Sequence, residues 1–300
     1  MSEAVPETTR PDAVRRSERV CFIGGAPHSG STLLGMILGA HSDIVYGGEL
    51  RKSTFLGDET KPLKKRVCKL CGEACPIWGS ISTPLVPDVY EVLARKTDAS
   101  IVVDSSKGTE WQREQLALLA DTTTRPHLVV LERDGRAVLA SRMRKYPTHD
   151  ARTIIEDWMS QIEKTDAFAS SFPGPVIRLR YEALATEPQC EITRVTDMLG
   201  VAFEDAMLRF WESEQHPLGG NDGTQFLVAR ESARRRSLDP SLPSAHDVLD
   251  LGADNLAYYA PHPAAIVLDL RWQRELPAEA RALFDTIAGE ANERFAWPGT

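Results

Sequence analysis

The residues best suited to bind a phosphate group lie in the turn of one short segment, from Val20 to Leu38 (VCFIGGAPHSGSTLLGMIL). Gly25, Gly30 and Thr32 match the pattern G-x-x-x-x-G-K-[ST] of loops that hold nucleoside triphosphates. Ser31 stands where that pattern has its lysine, which reaches the β- and γ-phosphates. A loop with backbone amides and a helix N-terminus but no lysine is expected to bind a nucleotide with a single phosphate group at that position.

Three motifs occur in a fixed order along the chain. They are APHSGSTLL from Ala26 to Leu34, RDGRAVLAS from Arg133 to Ser141, and RYEAL from Arg180 to Leu184. Together they resemble the 5′-phosphosulfate loop, the 3′-phosphate motif and the R-Y-E-D-L segment of sulfotransferases that use 3′-phosphoadenosine 5′-phosphosulfate (PAPS). The resemblance covers roughly residues 19–190. It implies PAPS as co-substrate and the desulfonated nucleotide PAP as product.

The resemblance also implies which residues bind the nucleotide. The first loop surrounds the 5′-phosphosulfate, and an Arg133 guanidinium with the Ser141 hydroxyl binds the 3′-phosphate, for which an arginine fork is well suited. Tyr181 lies near the adenosine, and a basic segment in the C-terminal third covers the nucleotide. The predicted binding residues are Pro27, His28, Ser29, Gly30, Ser31, Thr32, Arg133, Ser141, Tyr181, Arg234 and Arg235. For Arg234 and Arg235 an alternative remains open, in which they belong to a charged face exposed to solvent.

The catalytic residues predicted from the resemblance are Glu49, His28 and Lys107. Glu49 resembles the base of tyrosyl-protein and some bacterial sulfotransferases. Cytosolic members instead use a histidine on the strand that corresponds to Ile101–Val103, and neither this strand nor Asp104–Lys107 after it contains one. The family usually has lysine or arginine at the position of His28. A protonated imidazole there would act as donor and acid, whereas a neutral imidazole would be weaker in that role. Lys107 is predicted to supply the missing cation.

Cysteines 68, 71 and 75 form a separate cluster, CKLCGEACPIW. C-x-x-C spacing is typical of zinc sites, but a structural site needs four ligands, and no fourth cysteine or histidine follows closely. A disulfide, or packed thiols, remain alternatives. The surrounding insertion, about residues 52–90, is predicted to form part of the acceptor pocket.

Short apolar segments alternate with helical patterns along the first two thirds of the chain. Strands are predicted at Val20–Ile23, Ile44–Tyr46, Ile101–Val103, Leu128–Leu131 and Val176–Leu179, with helices between them. This pattern predicts an α/β three-layer sandwich with a central, mainly parallel sheet, like that of P-loop nucleoside triphosphatases, and a helical C-terminal portion. We expect a flexible tail over residues 1–18 and a single domain over residues 19–300. Loops are predicted at Gly219–Gly223 and Asp239–His246 in its helical C-terminal portion.

Composition narrows the class of protein. The net charge of −8 disfavours a general nucleic-acid binder, and 42% hydrophobic residues suffice for a large core. No apolar segment is long enough to span a membrane, and the polar N-terminus does not resemble a secretory signal. A cytoplasmic location is therefore expected, and a homodimer is left open.

The sequence as a whole predicts a sulfotransferase that moves the sulfuryl group of PAPS to the hydroxyl of a small-molecule acceptor. This chemistry requires no metal. Two alternatives remain, an ATP-dependent enzyme resembling P-loop kinases and a non-catalytic relative that binds nucleotide. The missing lysine of the loop disfavours the first, and the change at His28 motivates the second.

Overall fold

A computed structural model describes residues 14–81, 88–238 and 253–297. Residues 1–13 of the expected tail, residues 82–87 of the expected insertion and the loop predicted at Asp239–His246 lie outside these ranges. Within them, no helix is both long and apolar enough to cross a membrane.

The centre of the fold is a five-stranded sheet with the order β2-β3-β1-β4-β5. Its strands are β1 (Arg19–Gly24), β2 (Ile44–Gly48), β3 (Ile101–Asp104), β4 (Arg125–Glu132) and β5 (Val176–Arg180), and every pairing is parallel. The register places Phe22 of β1 between Asp104 of β3 and Leu128 of β4. Continuous apolar strands fit a parallel sheet because helices cover both of its faces. The predicted fold class is confirmed.

Helices connect the strands and form the C-terminal portion. They are α1 (Ser31–Leu38), α2 (Leu63–Arg66), α3 (Val89–Thr97), α4 (Thr109–Leu119), α5 (Gly135–Lys145), α6 (Ala151–Ser170), α7 (Tyr181–Thr186), α8 (Pro188–Leu199), α9 (Asp222–Leu238), α10 (Ala253–Tyr259), α11 (Trp272–Glu275) and α12 (Ala278–Asn292), with 3₁₀ helices at Leu50–Phe55 and Asp205–Glu212. The five strands predicted from the sequence agree with the observed bounds within a few residues, and helices lie between them as predicted.

Two apolar clusters hold the elements in place. The larger one contains the strand side chains, with Phe22 and Leu34 fully buried. The smaller one joins α5, α6 and α12, where the Trp158 and Phe284 rings pack 5.4 Å apart, centroid to centroid. Full burial of one such aromatic side chain contributes about 2–3 kcal/mol. The smaller cluster anchors α5, the helix that contains most of the motif from Arg133 to Ser141.

Candidate active site

The site lies where the parallel strands end. Glu49 follows β2, Lys107 lies three residues beyond β3, Arg133 follows β4, and Tyr181 follows β5. Because parallel strands end at the same edge of the sheet, residues far apart in sequence meet there. A cavity of about 550 Å³ opens at this edge, within the usual size range of small-molecule sites.

Most of the predicted site residues line this cavity. Those that do are Pro27, His28, Gly30, Ser31, Thr32, Glu49, Lys107, Arg133, Ser141 and Tyr181. Ser29, Arg234 and Arg235 are not among the lining residues.

The glycine loop brings a helix N-terminus to the cavity. Gly30 has φ of 97°, and a Cβ there would lie 2.6 Å from Cδ2 of Tyr181, so both conformation and space require glycine. The first-turn amides of α1, which begins at Ser31, have no carbonyl partner within the helix and present an anion site. Ser29 shapes the turn, because its N–H donates to the Ala26 carbonyl over 3.2 Å, and a contact of its side chain with the nucleotide stays a prediction.

His28 connects the loop to helix α5. Its φ is 70°, and its Nδ1 lies 2.8 Å from the Ser141 hydroxyl oxygen. Burial, followed by the positive charges of Lys145 and Lys107, lowers the pKa of His28 to about 3. The imidazole is therefore neutral near pH 7 in this structure, and its protonation beside a bound phosphate stays a prediction.

Arg133 is held in one position by several partners. It donates hydrogen bonds to the carbonyls of His28, at 3.0 Å, and Asp269, at 3.2 Å. Its guanidinium carbon lies 4.1 Å from the centre of the Tyr181 ring, in cation–π geometry. Asp134 caps α5 directly after it by accepting from the Arg136 amide. These contacts fix the charged end of Arg133 at the wall of the cavity.

A second arginine, Arg271, lies on the same wall and was not predicted. It forms a paired contact with Asp269, with Nη2 2.8 Å from Oδ2 and Nε 2.8 Å from Oδ1, and stacks 3.3 Å from the Tyr258 ring centre. Burial opposes ionisation of Asp269, but Arg271 and Arg133 hold its pKa well below the usual value. The only sign of this pair in the sequence was an aspartate and an arginine two positions apart, at 269 and 271.

Glu49 lies among lysines on the opposite side of the cavity. Its carboxylate is 2.8 Å from Nζ of Lys52. Burial alone would raise the pKa of Glu49, but the charges of Lys107 and Lys52 outweigh burial and lower this pKa to about 2. Burial also lowers the pKa of Lys107, which the Glu49 carboxylate opposes. Glu49 is therefore ionised, and so in the form that can accept a proton, throughout the neutral range.

The segment from Leu218 to Asn221 positions Glu49 and borders the side of the cavity on which Glu49 lies. The Glu49 N–H donates to the Leu218 carbonyl over 2.7 Å, and Leu218 pairs with Gly48 as a short parallel bridge. Gly48 has φ of 84°, and a Cβ there would lie 2.2 Å from the Leu218 oxygen. Further along, the Asn221 N–H donates to the Thr32 hydroxyl over 2.9 Å. The segment thus joins the end of β2 to the glycine loop.

Arg234 and Arg235 lie away from the cavity on α9. Arg234 is exposed and pairs with Glu231 over 3.2 Å, and Arg235 donates to the Trp211 carbonyl over 3.2 Å. Arg234 lies on a solvated face and Arg235 is half-buried, and a contact of either one with the nucleotide stays a prediction. A helix turns each side chain by about 100°, so the charge run alone could not place them toward the site.

The charge of the cavity is opposite to that of the whole chain. Among the residues that the structure describes, eight lysines and arginines line the cavity, against three carboxylates, whereas the whole chain carries a net charge of −8. The basic residues are Lys52, Lys64, Lys65, Lys69, Lys107, Lys145, Arg133 and Arg271. Such focused positive charge attracts anionic ligands. The fold and the site define a protein of the P-loop-like class with a cavity suited to a multiply charged anion.

Comparisons with known proteins give the family. The model of the Sulfotransferase family matches residues 21–205, and the chain belongs to this family. It is 26% identical over 217 residues to a Caenorhabditis briggsae protein provisionally named a protein-tyrosine sulfotransferase, covering 65% of this chain and 70% of that protein. It is 23% identical over 208 residues to protein-tyrosine sulfotransferase A of Caenorhabditis elegans, covering 66% of this chain and 54% of that protein.

Among solved structures, the fold is similar to that of the sulfotransferase domain from the curacin biosynthetic pathway. The TM-score is 0.55 at 20% identity, over 93% of this chain and 99% of that domain. At this identity the likeness concerns the fold alone.

Proposed function

We propose that this protein transfers the sulfuryl group of PAPS to a hydroxyl of a small-molecule acceptor. The observation that carries the proposal is the cation-lined cavity at the carboxyl edge of the sheet, between the glycine loop and Arg133. PAPS carries its negative charges at two separate places, the 5′-phosphosulfate and the 3′-phosphate. The cavity offers a cationic or amide-rich surface for each.

The 5′-phosphosulfate is assigned to the glycine loop. The N-terminus of α1 presents free amides, and the Ser31 side chain lies at its start. Thr32 also lines the cavity, although its hydroxyl already accepts a hydrogen bond from Asn221. The loop lacks the lysine that reaches a γ-phosphate, which disfavours ATP as the donor.

The 3′-phosphate is assigned to Arg133 and Ser141. A guanidinium has five N–H donors, and protein carbonyls accept from two of the Arg133 nitrogens. Ser141 lies beside the loop through its contact with His28, so both groups face one end of the cavity. Arg271 adds a further positive charge there. Adenylates without a 3′-phosphate would miss these contacts.

The chemical step needs a base on the acceptor side and positive charge on the donor side. The acceptor oxygen attacks sulfur and forms the new S–O bond, while the bond from sulfur to the bridging oxygen of the 5′-phosphate breaks. PAP leaves with that electron pair, and Glu49 takes the acceptor proton. Lys107 stabilises the charge that gathers on the bridging oxygen, a preorganised contribution of roughly 3 kcal/mol.

The low pKa of Glu49 is compatible with this role. A carboxylate with a pKa of about 2 is a weak base, since an effective base has a pKa close to the operating pH. The lysines that lower this pKa face the place proposed for the donor. The negative charge of bound PAPS offsets those lysines, so the pKa of Glu49 rises when the donor binds.

Calorimetry and turnover together test the proposal. PAP should bind, 5′-AMP should bind at least tenfold more weakly because it lacks a charge-assisted contact, and ATP with magnesium should not bind more tightly than PAP. Sulfonation of hydroxylated compounds from radiolabelled PAPS should then be seen with wild-type protein and lost in Glu49→Gln. Tight ATP binding would favour a kinase-like enzyme, and PAP binding without any transfer would favour a non-catalytic relative.

The tyrosine hydroxyl of a peptide is a second candidate acceptor. Identity to proteins named for tyrosine sulfonation favours it. Tyrosyl peptides and free phenols compared in the same transfer assay separate the two candidates. A preference for peptides of at least tenfold in kcat/KM, about 1.4 kcal/mol, would replace the small-molecule acceptor in the proposal.

A further inference from the structure

Four potential metal ligands meet outside the proposed nucleotide site. Cys68, Cys71, Cys75 and His216 each direct one ligand atom to a common centre, and these atoms all lie within 4.8 Å of one another. His216 Nδ1 is 3.1 Å from the Cys71 sulfur and 3.5 Å from the Cys75 sulfur. The histidine lies 145 residues after Cys71, which is why the local sequence lacked a fourth ligand.

We propose that these four residues bind one structural zinc ion. The spacings Cys68-x-x-Cys71 and Cys71-x-x-x-Cys75 both fall in the range typical of zinc ligands. Zinc–sulfur bonds of about 2.3 Å and zinc–nitrogen bonds of about 2.0 Å place tetrahedral ligand atoms roughly 3.5–3.8 Å apart. The separations between His216 and the two sulfurs are close to that range. A set of three thiolates and one imidazole leaves no coordination position open, so the site is structural.

The backbone near the cysteines has the shape that such a site needs. The Gly72 N–H donates to the Cys68 carbonyl over 2.8 Å, and Gly72 has φ of 66°. The Gly79 N–H similarly donates to the Cys75 carbonyl over 2.7 Å. These two tight turns bring the sulfurs of a short segment to one side.

Neighbouring residues hold both the backbone and the ring of His216. Its carbonyl accepts a 2.6 Å hydrogen bond from the Trp78 indole, and its Nε2 lies 3.3 Å from a Glu214 carboxylate oxygen. A carboxylate on the far nitrogen of a metal-binding histidine fixes the tautomer and strengthens the ligand. Nδ1 is thereby the nitrogen left to face the three sulfurs.

A disulfide explains this arrangement less well. A disulfide would join two of the three sulfurs. It would not explain why the third sulfur and the imidazole lie beside them. All three cysteines are free thiols in the structure. Convergence of four ligand atoms, with a carboxylate behind the histidine, is what a metal ion requires.

The zinc site would stabilise the wall of the cavity that the cysteine segment and residues 216–222 form. Cys68 pairs with Leu218 as a short antiparallel bridge, and Leu218 in turn pairs with Gly48, next to Glu49. Lys69, directly after the first cysteine, donates to the Gly220 carbonyl over 3.0 Å and pairs with Asp222. Zinc therefore joins the cysteine segment to the 216–222 segment, both of which border the cavity.

Metal analysis of protein purified without chelator is the first test. Elemental analysis should find close to one zinc ion per chain in wild type and in Cys190→Ser, a matched control at an exposed cysteine of α8. Cys71→Ser and His216→Asn should each lower zinc content at least about tenfold, since a lost ligand weakens a four-ligand site strongly. Wild-type protein without zinc whose cysteines titrate as a disulfide would overturn the proposal.

Cobalt substitution supplies a test that needs no variant to fold. Cobalt(II) exchanged into wild-type protein should give the intense visible bands of a tetrahedral site and the near-ultraviolet charge-transfer bands of thiolate ligands. Weak bands of octahedral cobalt would contradict the Cys₃His set. Both tests measure metal and not sulfonation, so their outcome is independent of the proposed function.

Discussion

His28 Nδ1 and the Ser141 hydroxyl oxygen lie 2.8 Å apart, although 113 residues separate them in the chain. The contact connects the two predicted phosphate motifs, one on the glycine loop and one on α5. Arg133 strengthens this connection by donating to the His28 carbonyl over 3.0 Å. The surfaces proposed for the 5′-phosphosulfate and the 3′-phosphate are therefore parts of one structure.

Loss of Arg133 should remove discrimination for the 3′-phosphate. Arg133→Lys keeps a charge but loses the forked geometry, so PAP affinity should fall roughly tenfold to a hundredfold while the weak binding of 5′-AMP changes little. Calorimetry with both nucleotides measures the ratio of PAP affinity to 5′-AMP affinity. Arg194→Ala, at an exposed arginine of α8 that does not line the cavity, is the control and should bind PAP like wild type. An unchanged ratio in Arg133→Lys would place the 3′-phosphate elsewhere.

Neutral His28 should make the stability of the protein sensitive to acid. The pKa of His28 is lowered to about 3 in the folded state, whereas an unfolded histidine has a pKa of about 6.5. Between these values the unfolded state binds the extra proton, so the free energy of unfolding falls as the pH is lowered from about 6.5 toward 3.

Urea unfolding of His28→Gln measures this effect. The variant should lose less stability than wild type between pH 7 and pH 5, since it cannot take up that proton on unfolding. His149→Gln, at an exposed histidine, should behave like wild type. Equal slopes for wild type and His28→Gln would mean that folding does not lower the pKa of His28.

Glu49→Gln should separate nucleotide binding from turnover. Removal of a general base typically costs a hundredfold or more in rate, so kcat should fall at least that far. PAP should bind as well as or better than in wild type, because one negative charge leaves a cation-lined cavity. Steady-state kinetics beside calorimetry checks both effects. Full turnover in the variant would exclude Glu49 as the base.

Lys107→Ala should lower turnover and shift the acid limit of activity. The charge of Lys107 is the largest attraction that lowers the pKa of Glu49, so without it that pKa rises. Glu49 then becomes protonated at higher pH, and the acid limb of the pH–kcat profile should move upward. Lys145→Ala, another cavity lysine, is a charge-matched comparison. Intact turnover and PAP affinity in Lys107→Ala would refute the cation role.

Gly30→Ala should weaken nucleotide binding by distorting the loop. Its Cβ would lie 2.6 Å from the Tyr181 ring, and the positive φ would add strain of about 1 kcal/mol or more. PAP affinity should fall while the thermal unfolding temperature drops by a few degrees. Gly289→Ala, where a Cβ meets nothing within 4 Å, serves as the control. Normal affinity in Gly30→Ala would mean that this loop does not hold the anion.

The sequence by itself determined the layered architecture and the edge at which the site lies. Short apolar runs such as Leu128–Leu131 that alternate with helical patterns are typical of buried central strands. A parallel sheet brings the residues that follow its strands, including Glu49 and Arg133, to one edge. The glycine loop was predicted from its G-x-x-x-x-G pattern, and the φ of 97° at Gly30 gives the physical reason for glycine there. These features depend on local physics.

Only the tertiary structure decided what depends on contacts between distant segments. It brought His216 to the three cysteines and Arg271 to Arg133, and it turned Arg235 away from the cavity. It also left His28 neutral, because burial and surrounding cations lower its pKa. A linear pattern specifies which residue types are present and how often they recur. Charge state and ligand sets depend on the distances and desolvation that arise when separate segments pack together.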